Sequence, residues 1–453
     1  MSITAPTGEV HDQVPHHETK RTEYNLVQVK GTWTRKNRKT LRKNENERVS
    51  SAKIHECSEG RGTTWTVVSP IVFTYQVIQT QNLLDPSNDA LLTGHIRDPQ
   101  QLELLRGSHK PLKRFVVMDE TVFKLYGCQV TDYFESRDVL YRILPLPTTE
   151  EKKSMEMVMM MLNEVHKFGI DRRTEPIIAI GGGVCLDIVG LAASLYRRRT
   201  PYIRVPTSLL SYIDASVGAK NGVNFANCKN KLGSYIPPAA ALLDRSFIQT
   251  LPRRHISNGM AEMLKMALMK HKGLFELLEE QGRFLLDSRF QSNNVDLTSA
   301  AAVTTRVAIE TMLEELAPNL WEDDLDRLVD FGHLISPALE MEVLPALLHG
   351  EAVNIDMAFM VYVAHERGLV TEDEKLRIVD CMLGLELPVW HRGFTLALVQ
   401  RALRERLRHS GGLVRMPLPT GLGCAEIFND TDDETLCHAY ERWCDELGPG
   451  LSS

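Results

Sequence analysis

Three side chains in this sequence are of the types that hold a catalytic metal ion: Glu262 in "NGMAEMLK", His333 in "DFGHLISP" and His349 in "HGEAV". One carboxylate and two imidazoles leave coordination positions open for substrate oxygens, which is the ligand set of a catalytic zinc. Each residue also has a plainer interpretation. Glu262 and Lys265 stand three residues apart, which suits a solvated ion pair on a helix, and a single histidine in an apolar segment is more often a hydrogen-bonded core residue. Spacing alone does not decide, because the three residues come from separate predicted helices.

A glycine-rich turn, "GGGVCLD" at residues 181–187, lies between an apolar predicted strand and a predicted helix. Glycines at such a turn let backbone N–H groups approach a pyrophosphate at the start of the helix. The spacing is not the usual GxGxxG, and a tight turn that needs a positive φ would explain the glycines about equally well. The turn therefore indicates a nucleotide site without establishing one.

The stretch "PTSLLSYIDASVGAKNGVNFANCKNKLGSY" at 206–235 combines polar side chains with Gly, Ala and Ser. A surface loop would explain the lysines, but it would not explain their position after a buried strand or their small neighbours. Small neighbours let several long side chains crowd one ligand, and Lys and Asn donors suit an anionic, phosphorylated and hydroxyl-rich substrate. The polar residues of interest are Asp214, Lys220, Asn224, Lys229, Asn230 and Lys231.

The elements that must position these residues follow from the rest of the pattern. At 453 residues the chain is too long for one ordinary core, so we expect two domains. Residues 1–64 are polar and include the basic run "RKNRKTLRKNENER", which predicts a disordered extension. Over 65–245 strands alternate with helices, which predicts a doubly wound, mostly parallel α/β sheet with a nucleotide at the carboxyl ends of its strands. Over 246–453 the pattern is mainly helical, with one late strand at 412–419.

The bulk composition excludes several classes of function. A formal charge of -7 argues against nucleic acid as the main partner, because phosphate binding usually appears as a basic excess. The chain has no apolar run of the roughly 18 residues that span a bilayer and no apolar stretch like that of a signal peptide. Its eight cysteines are scattered without a CxxC pair, as expected of thiols in a reducing compartment. We therefore expect a cytoplasmic protein without a membrane partner.

Taken in order, these motifs resemble those of the sugar phosphate cyclases, the family whose best-known member is 3-dehydroquinate synthase. The resemblance runs from about Thr64 to Pro449 and rests on "PTTEEKKSM", "GGGVCLD", "SLYRRRTPYIRVPTSLL", "DASVGAKNGVNF", "CKNKLGSY", "TLPRRHISNGMAEMLK", "FGHLISP" and "HGEAV". Together these motifs are highly specific. The resemblance implies the dehydroquinate synthase-like fold, NAD as cofactor, Zn2+ with Co2+ as an alternative metal, a small sugar phosphate substrate and a homodimer.

The resemblance also implies a role for each matching position. Glu262, His333 and His349 match the metal ligands of the family. The positions that match its NAD-binding residues are Asp119, Glu150, Lys153, Gly181, Gly182, Gly183, Asp187, Thr207 and Ser208. The positions that match residues around the substrate hydroxyls and phosphate are Asp214, Lys220, Lys229, Asn230 and Lys265. Arg198 matches an arginine that reaches into the phosphate site of the neighbouring subunit.

The implied reaction is a cyclisation with elimination of phosphate. In the family, NAD transiently removes a hydride from a ring carbinol, and the resulting ketone acidifies the adjacent C–H. Phosphate is then lost, the ketone is reduced again, and the opened ring closes by an internal aldol step. Zinc polarises the carbinol and carbonyl oxygen, and lysines stabilise the phosphate and enolate charges.

Three positions depart from 3-dehydroquinate synthase. Pro337 stands where that enzyme has a second histidine, Asp330 replaces an asparagine, and His409 lies close to the place of a phosphate-contacting lysine. A substrate carboxylate would need a cationic or hydrogen-bond-donating partner, and Pro337 removes one such partner while Asp330 adds an anionic group. The two changes therefore disfavour the binding of a substrate with a carboxylate at this place. The pattern resembles instead the branch that cyclises sedoheptulose 7-phosphate, with Asp330 and His409 as the selectivity residues of 2-epi-5-epi-valiolone synthases, particularly their animal members.

Other functions stay open at this point. Within the family, the alternatives are the desmethyl-4-deoxygadusol synthase reaction on the same substrate and 3-dehydroquinate synthase. The related glycerol dehydrogenase type would perform a net oxidation and accumulate NADH. A non-catalytic relative that kept the fold is a different class, and the retained ligand residues and glycine turn count against it.

Overall fold

The computed structural model describes residues 24–29, 32–37, 53–59, 62–69, 71–107, 111–137, 139–291, 299–430 and 432–448. Near the N-terminus, the strands β1 (Tyr24–Val29) and β2 (Thr32–Asn37) pair antiparallel, as do β3 (Lys53–Glu59) and β4 (Gly62–Val68). In these strands the structure departs from the disordered extension expected over 1–64, because two hairpins form there. The other residues of that extension lie outside the described residues.

A six-stranded parallel sheet forms the scaffold of the first half. The next strands along the chain are β5 (Gln76–Thr80), β6 (Leu112–Asp119), β7 (Val139–Leu146), β8 (Ile177–Gly181), β9 (Tyr202–Pro206), β10 (Lys220–Phe225), β11 (Cys228–Tyr235) and β12 (Ala240–Asp244). The order in the sheet is β5-β12-β9-β8-β6-β7, and every pair of neighbours is parallel. β8, β9 and β12 are buried at every residue, as expected of parallel strands covered on both faces.

Helices cover both faces of this sheet, so the predicted doubly wound α/β fold is confirmed. The helices of this half are α1 (Ala90–Thr93), α2 (Pro99–Arg106), α3 (Glu120–Glu135), α4 (Met155–Phe168) and α5 (Gly183–Leu195). Alternation along β6 shows the two faces. Phe115 and Val117 pack in one apolar cluster with residues of α4 and α5, whereas Val116 and Met118 pack in another with residues of α3.

β10 and β11 lie outside the sheet as an antiparallel hairpin, in which Lys220 is the cross-strand partner of Tyr235. The hairpin occupies most of the polar stretch that the sequence predicts to bind substrate. Its register shifts between Val223 and Phe225, so that Lys229, Asn230 and Lys231 lie opposite the single residue Asn224.

The second half is mainly helical, as predicted. Its elements are α6 (Arg253–Lys270), α7 (Lys272–Asp287), α8 (Ala300–Leu316), α9 (Ser336–Val343), α10 (His349–Glu366), α11 (Glu372–Gly384), α12 (Leu396–His409), β13 (Met416–Gly421), β14 (Cys424–Phe428) and α13 (Asp433–Leu447). The late strand predicted at 412–419 is the hairpin β13–β14. α6 and α10 run through one large apolar core. No helix in the described part of the chain is long and apolar enough to cross a bilayer. The domain boundary at residues 245 and 246 stays a prediction.

Candidate active site

The structure brings Glu262, His333 and His349 together, although they belong to three different elements. Their ligand atoms all lie within 4.8 Å of one another. Oε1 of Glu262 is 3.6 Å from Nε2 of His333 and 3.5 Å from Nε2 of His349. Ligand atoms about 2.1 Å from a tetrahedral ion would stand about 3.4 Å apart, so these separations fit a shared zinc better than direct hydrogen bonds.

Close contact between α6 and α10 places two of the three residues. His349 is the first residue of α10, and the N–H of Gly350 donates to Oδ1 of Asn258 on α6 at 2.7 Å. A Cβ atom at position 350 would lie 2.0 Å from the backbone oxygen of Asn258. Only glycine allows this approach, which sets His349 beside Glu262, one turn further along α6.

The loop before α9 places the third residue. Gly332 has a φ of +72°, and a Cβ there would lie 2.5 Å from Cγ of Met357. The carboxylate of Asp356 accepts hydrogen bonds from the N–H groups of Ile335 and Ser336. Pro337 is in the first turn of α9, where a missing N–H costs no helical hydrogen bond. The proline therefore starts a helix and leaves the loop of His333 intact.

Hydrogen bonds at the other ring nitrogens orient both imidazoles. Nδ1 of His349 lies 2.9 Å from Oε2 of Glu340, and Nδ1 of His333 lies 3.1 Å from the carbonyl oxygen of Phe331. These acceptors favour the tautomer with the proton on Nδ1, which leaves the Nε2 lone pairs facing Glu262. A metal-binding histidine commonly donates its second ring N–H to a carboxylate or a backbone carbonyl in this way.

A buried ion pair adjoins the three ligand residues. Nζ of Lys265 lies 2.5 Å from Oε2 of Glu262 and 3.8 Å from Oδ2 of Asp214. Burial opposes the charge of Lys265, but the two carboxylates raise its pKa above the ordinary value. Burial raises the pKa of Asp214 and lowers that of His333, whereas Lys265 and His349 keep the pKa of Glu262 low despite its burial.

The chemistry of this donor set fits a divalent metal. Oε1 of Glu262 is fully buried and has no hydrogen-bond partner among the described residues. A buried carboxylate oxygen without a partner is costly, and two imidazole lone pairs converge on the same point. A zinc ion at that point would satisfy all three groups, so the residues present fit the metal that the sequence implies.

Gly182, between β8 and α5, has an extended backbone conformation. Gly182 has φ −76° and ψ −179°, and none of the three described glycines of this turn has a positive φ. The interpretation as a tight turn that needs positive φ is therefore wrong. A Cβ at position 181 would lie 2.6 Å from Cβ of Cys185, so glycine there allows the strand to pack on α5. Around Gly182 and Gly183 the nearest atoms are 3.6–3.7 Å from an added Cβ, on Ser208 and Ala215.

The remaining residues of the predicted cofactor side lie around this turn or on the neighbouring strand ends. Ser208 faces Gly182, and the N–H of Thr207 donates to the carbonyl oxygen of Gly181 at 3.0 Å. Asp119 ends β6 and caps α3 through the N–H groups of Thr121 and Val122. Asp119 therefore has a structural task that the sequence analysis did not assign to it.

Lys153 contacts α5, the helix that follows the glycine turn. Its buried ammonium is 2.6 Å from Oδ2 of Asp187 and donates to Oδ1 of Asn230 at 2.7 Å. Burial opposes the charge, but Asp187 raises the pKa of Lys153 above its ordinary value. Glu150 accepts a hydrogen bond from the side chain of Asn224 at 2.9 Å. The hairpin β10–β11 is thus bonded to the predicted cofactor side.

The lysines of the hairpin also contact the helical half. Lys229 Nζ is 2.5 Å from Oε2 of Glu340 and 3.0 Å from Nδ1 of His349. Lys220 Nζ is 2.5 Å from Oε1 of Glu322, and Lys231 Nζ is 3.2 Å from Oε1 of Glu405.

Asp330 lies beside the ligand loop, where its carbonyl oxygen accepts the N–H of His333 at 2.9 Å. Its carboxylate contacts Arg327 at 3.2 Å and Arg406 at 3.0 Å. Burial would raise the pKa of Asp330, but Arg327, Lys220 and Arg406 hold it well below its usual range. Asp330 is therefore an anion in the site.

The structure leaves two predicted residues apart from this cluster. His409 is exposed at the end of α12, and within the described ranges no hydrogen bond or ion pair joins it to Asp330. Arg406, one turn earlier on the same helix, occupies that place. Arg198 is exposed and has a φ of +61°. Its predicted role toward a neighbouring subunit stays a prediction.

The sequence analysis missed Glu340, Glu322, Arg327 and Arg406. Glu340 stands nine residues before His349, and the sequence shows no helical or strand period that would join the two. The one available signal was its place in the ligand-bearing stretch, "FGHLISPALE". The others are ordinary charged residues in sequence, and only the tertiary structure shows their partners.

A parallel doubly wound sheet, a helical second half and a Glu-His-His site define a protein of the dehydroquinate synthase-like fold. Comparison with protein families agrees: residues 143–258 match the family model described as "3-dehydroquinate synthase N-terminal", and residues 259–407 match "3-dehydroquinate synthase C-terminal". The chain belongs to the 3-dehydroquinate synthase family.

Individual relatives within this family show which of its enzymes the chain is most similar to among those compared. The chain is 48% identical to a 2-epi-5-epi-valiolone synthase of Actinomyces sp over 85% of its own length and 99% of the relative. Identity to a demethyl-4-deoxygadusol synthase of Trichormus variabilis is 37%, over 72% of this chain and 82% of the relative. A solved structure is that of ValA, a 2-epi-5-epi-valiolone synthase from Streptomyces hygroscopicus subsp. jinggangensis 5008 with NAD+ and Zn2+ bound. The match covers 84% of this chain and 100% of ValA, with a TM-score of 0.77 and 44% identity.

Proposed function

We propose that this protein is a sugar phosphate cyclase that converts sedoheptulose 7-phosphate to 2-epi-5-epi-valiolone and releases phosphate, with NAD and zinc as cofactors. The observation that carries the proposal is the convergence of Glu262, His333 and His349 beside the buried ammonium of Lys265. Relatives with 48% and 44% identity are 2-epi-5-epi-valiolone synthases, and one of them has NAD+ and Zn2+ bound.

The metal ligands in this proposal are Glu262, His333 and His349. Bound in their sites, zinc supplies a Lewis acid for a substrate carbinol or carbonyl oxygen, and NAD supplies reversible hydride transfer. Glu340 and the carbonyl of Phe331 orient the two imidazoles.

The residues proposed to hold the cofactor are grouped at the carboxyl ends of the sheet strands, where open α/β sheets bind nucleotides. Gly182 and Gly183 leave room for a pyrophosphate at the start of α5, with Gly181, Thr207 and Ser208 beside them. Lys153 and Asp187 form one ion pair on this side. Asp119 and Glu150 complete the set as matched by motif.

The residues proposed to hold the substrate extend from the hairpin to α6. Lys265, kept charged by its two carboxylate neighbours, stabilises negative charge that develops next to the metal site. Lys229 and Asn230 on β11 and Lys220 on β10 supply donors for phosphate and hydroxyl oxygens. Asp214 lies within 3.8 Å of Lys265 and orients substrate hydroxyls.

Asp330 favours an uncharged polyol end of the substrate, because its carboxylate repels a substrate carboxylate and accepts hydrogen bonds from hydroxyls. His409 stays a candidate for the same selectivity. We also propose a cytoplasmic homodimer, in which Arg198 completes the phosphate site of the neighbouring subunit, and a protein that uses neither nucleic acid nor a membrane as a partner.

The test is incubation of purified protein with sedoheptulose 7-phosphate, NAD and zinc, followed by phosphate measurement and NMR of the product. We expect 2-epi-5-epi-valiolone, phosphate release and no accumulation of NADH. Desmethyl-4-deoxygadusol as the product would assign the sister reaction, and NADH accumulation would indicate a dehydrogenase. A protein without catalysis, bound NAD or stoichiometric metal would be a non-catalytic relative.

A matched pair of variants connects the activity to the site. His333→Ala removes a proposed ligand and should abolish both phosphate release and tight zinc binding. His438→Ala changes an exposed histidine on α13 and should leave both unchanged. Equal activity of the two variants would contradict the assignment of His333.

A further inference from the structure

Glu322 receives three donors from different elements. Its Oε1 lies 2.5 Å from Nζ of Lys220, and its Oε2 lies 2.6 Å from a guanidinium nitrogen of Arg327. The hydroxyl of Tyr235 donates to the same Oε2 at 3.0 Å. The side chain is only 8% exposed, and its backbone φ of +57° is uncommon for a residue other than glycine.

Ion pairs connect the carboxylate of Glu322 to Asp330, which lies beside the loop of His333. Arg327 contacts both Glu322 and Asp330, and Arg406 contacts the other oxygen of Asp330. The backbone of Asp330 in turn holds the N–H of His333. Two carboxylates and three cations, counting Lys220, therefore form one network that ends at the loop of a proposed metal ligand.

Lys220 is the most accessible ammonium of the proposed substrate side. Its side chain is 55% exposed, whereas those of Lys229 and Lys265 are 10% and 3% exposed. An incoming anionic group would therefore meet Lys220 before the two buried lysines. In the structure that ammonium already has an anionic partner, Glu322.

We propose that Glu322 is a specificity-determining residue, which neutralises Lys220 so that this wall accepts an uncharged hydroxyl-bearing group and rejects a carboxylate. This inference rests on the proposed function and adds to it a second carboxylate, on a different element from Asp330. A free Lys220 would attract any anion, whereas a Lys220–Glu322 pair has no net charge and attracts a substrate carboxylate much less strongly.

The experiment uses protein loaded with NAD and zinc and compares two ligands by calorimetric titration. One is sedoheptulose 7-phosphate, and the other is a heptulosonate 7-phosphate, which has a carboxylate in place of the C1 hydroxymethyl group. Glu322→Gln keeps the size of the side chain and an acceptor for Tyr235 but removes the charge. We expect the variant to bind the carboxylate ligand about tenfold more tightly, and sedoheptulose 7-phosphate within about twofold of wild type.

Two control variants separate charge from structure. Glu322→Asp keeps the charge and should keep the preference of the wild type. Glu405→Gln breaks the Lys231–Glu405 pair of the same hairpin, where both side chains are nearly half exposed, and should not alter the ratio of the two affinities. If Glu322→Gln does not fold, Lys220→Gln should shift the ratio in the opposite direction, against the carboxylate ligand.

The outcomes distinguish this inference from the proposed function. Wild-type protein that neither binds nor converts sedoheptulose 7-phosphate would refute the proposed function. Wild-type protein that converts it, with a Glu322→Gln variant whose two affinities change in the same proportion, would overturn the role of Glu322 alone. A parallel loss of both affinities would show a purely structural residue.

Discussion

Replacing Glu340 by Gln tests whether Glu340 holds the imidazole proton of His349 on Nδ1. Glu340 is 3% exposed and contacts both Nδ1 of His349, at 2.9 Å, and Nζ of Lys229, at 2.5 Å. Burial opposes its charge, but Lys229 and His349 hold its pKa well below the usual range. Glu340 is therefore an anion that accepts a hydrogen bond from Nδ1–H of His349 and leaves Nε2 free to bind the metal.

The variant keeps the shape of Glu340 but releases Lys229. Nζ of Lys229 is only 3.0 Å from Nδ1 of His349, and an ammonium can only donate. It can hydrogen-bond Nδ1 only when the imidazole proton moves to Nε2, and that tautomer cannot bind zinc through Nε2. We expect Glu340→Gln to weaken zinc affinity about 10- to 100-fold, the usual effect of losing such a partner, or about 1.4–2.7 kcal/mol.

The assay is zinc competition between the metal-free protein and a chromophoric chelator. Glu342→Gln is the matched control, because Glu342 is on the same helix and pairs with Arg401 at the surface. Adding Lys229→Met to Glu340→Gln removes the competing donor, so part of the lost affinity should return. Zinc affinity within about twofold of wild type in Glu340→Gln would refute the positioning role, and no recovery in the double variant would refute the tautomer argument.

Three further changes probe the scaffold around the site. Burial raises the pKa of Asp356 to about 6 from 3.8, so this carboxyl stabilises the fold below about pH 4 and loses that contribution as pH rises through 6. In urea unfolding of metal-free protein, the free energy of unfolding of Asp356→Asn should therefore rise by up to about 3 kcal/mol relative to that of wild type between pH 4 and 7. A difference that does not change with pH would contradict this. Gly332→Ala places a Cβ at a positive φ and 2.5 Å from Cγ of Met357, so chemical denaturation should show a free energy of unfolding lower by about 2–4 kcal/mol. A decrease of less than about 1 kcal/mol would show that the loop adjusts to the added methyl group. Arg406→Gln removes a charged partner of Asp330 and should raise KM for sedoheptulose 7-phosphate about tenfold with a smaller change in kcat; an unchanged KM would place Arg406 outside the substrate site.

The sequence predicts what local pattern and motif spacing encode. The continuous apolar run "IIAIG", followed by a glycine turn and a helix and repeated as alternating strands and helices, was sufficient to predict the parallel sheet and the nucleotide site at its edge. The metal ligands were predictable only through the family motifs "NGMAEMLK", "FGHLISP" and "HGEAV", and the glycine in each motif permits a contact closer than a Cβ atom would allow. The strands β1, β2 and β3 were not predicted, because their sequences lack the sustained apolar alternation on which strand prediction depends, whereas β4 overlaps the strand-rich region predicted from residue 65.

The sequence could not predict which charged residues form ion pairs with each other. Motif matching paired His409 with Asp330 as selectivity residues. In the structure Arg406, one turn before His409 on α12, is the residue that contacts Asp330. The orientation of a helix depends on core packing, which one sequence does not display. The same limit applies to Glu322 and Glu340, which have no pattern of their own.

The hairpin β10–β11 explains how residues from both halves can act as one site. The register of the hairpin shifts at this point, where Asn230 has a φ of +51°. There Lys229 reaches Glu340 and His349, while Asn230 reaches Lys153, the partner of Asp187. Two adjacent residues thus connect the proposed metal side with the proposed cofactor side. Hydride transfer requires substrate and cofactor to be held within about 3–3.5 Å of each other. We therefore expect a change in the position of β11, which bonds to both sides, to change that distance.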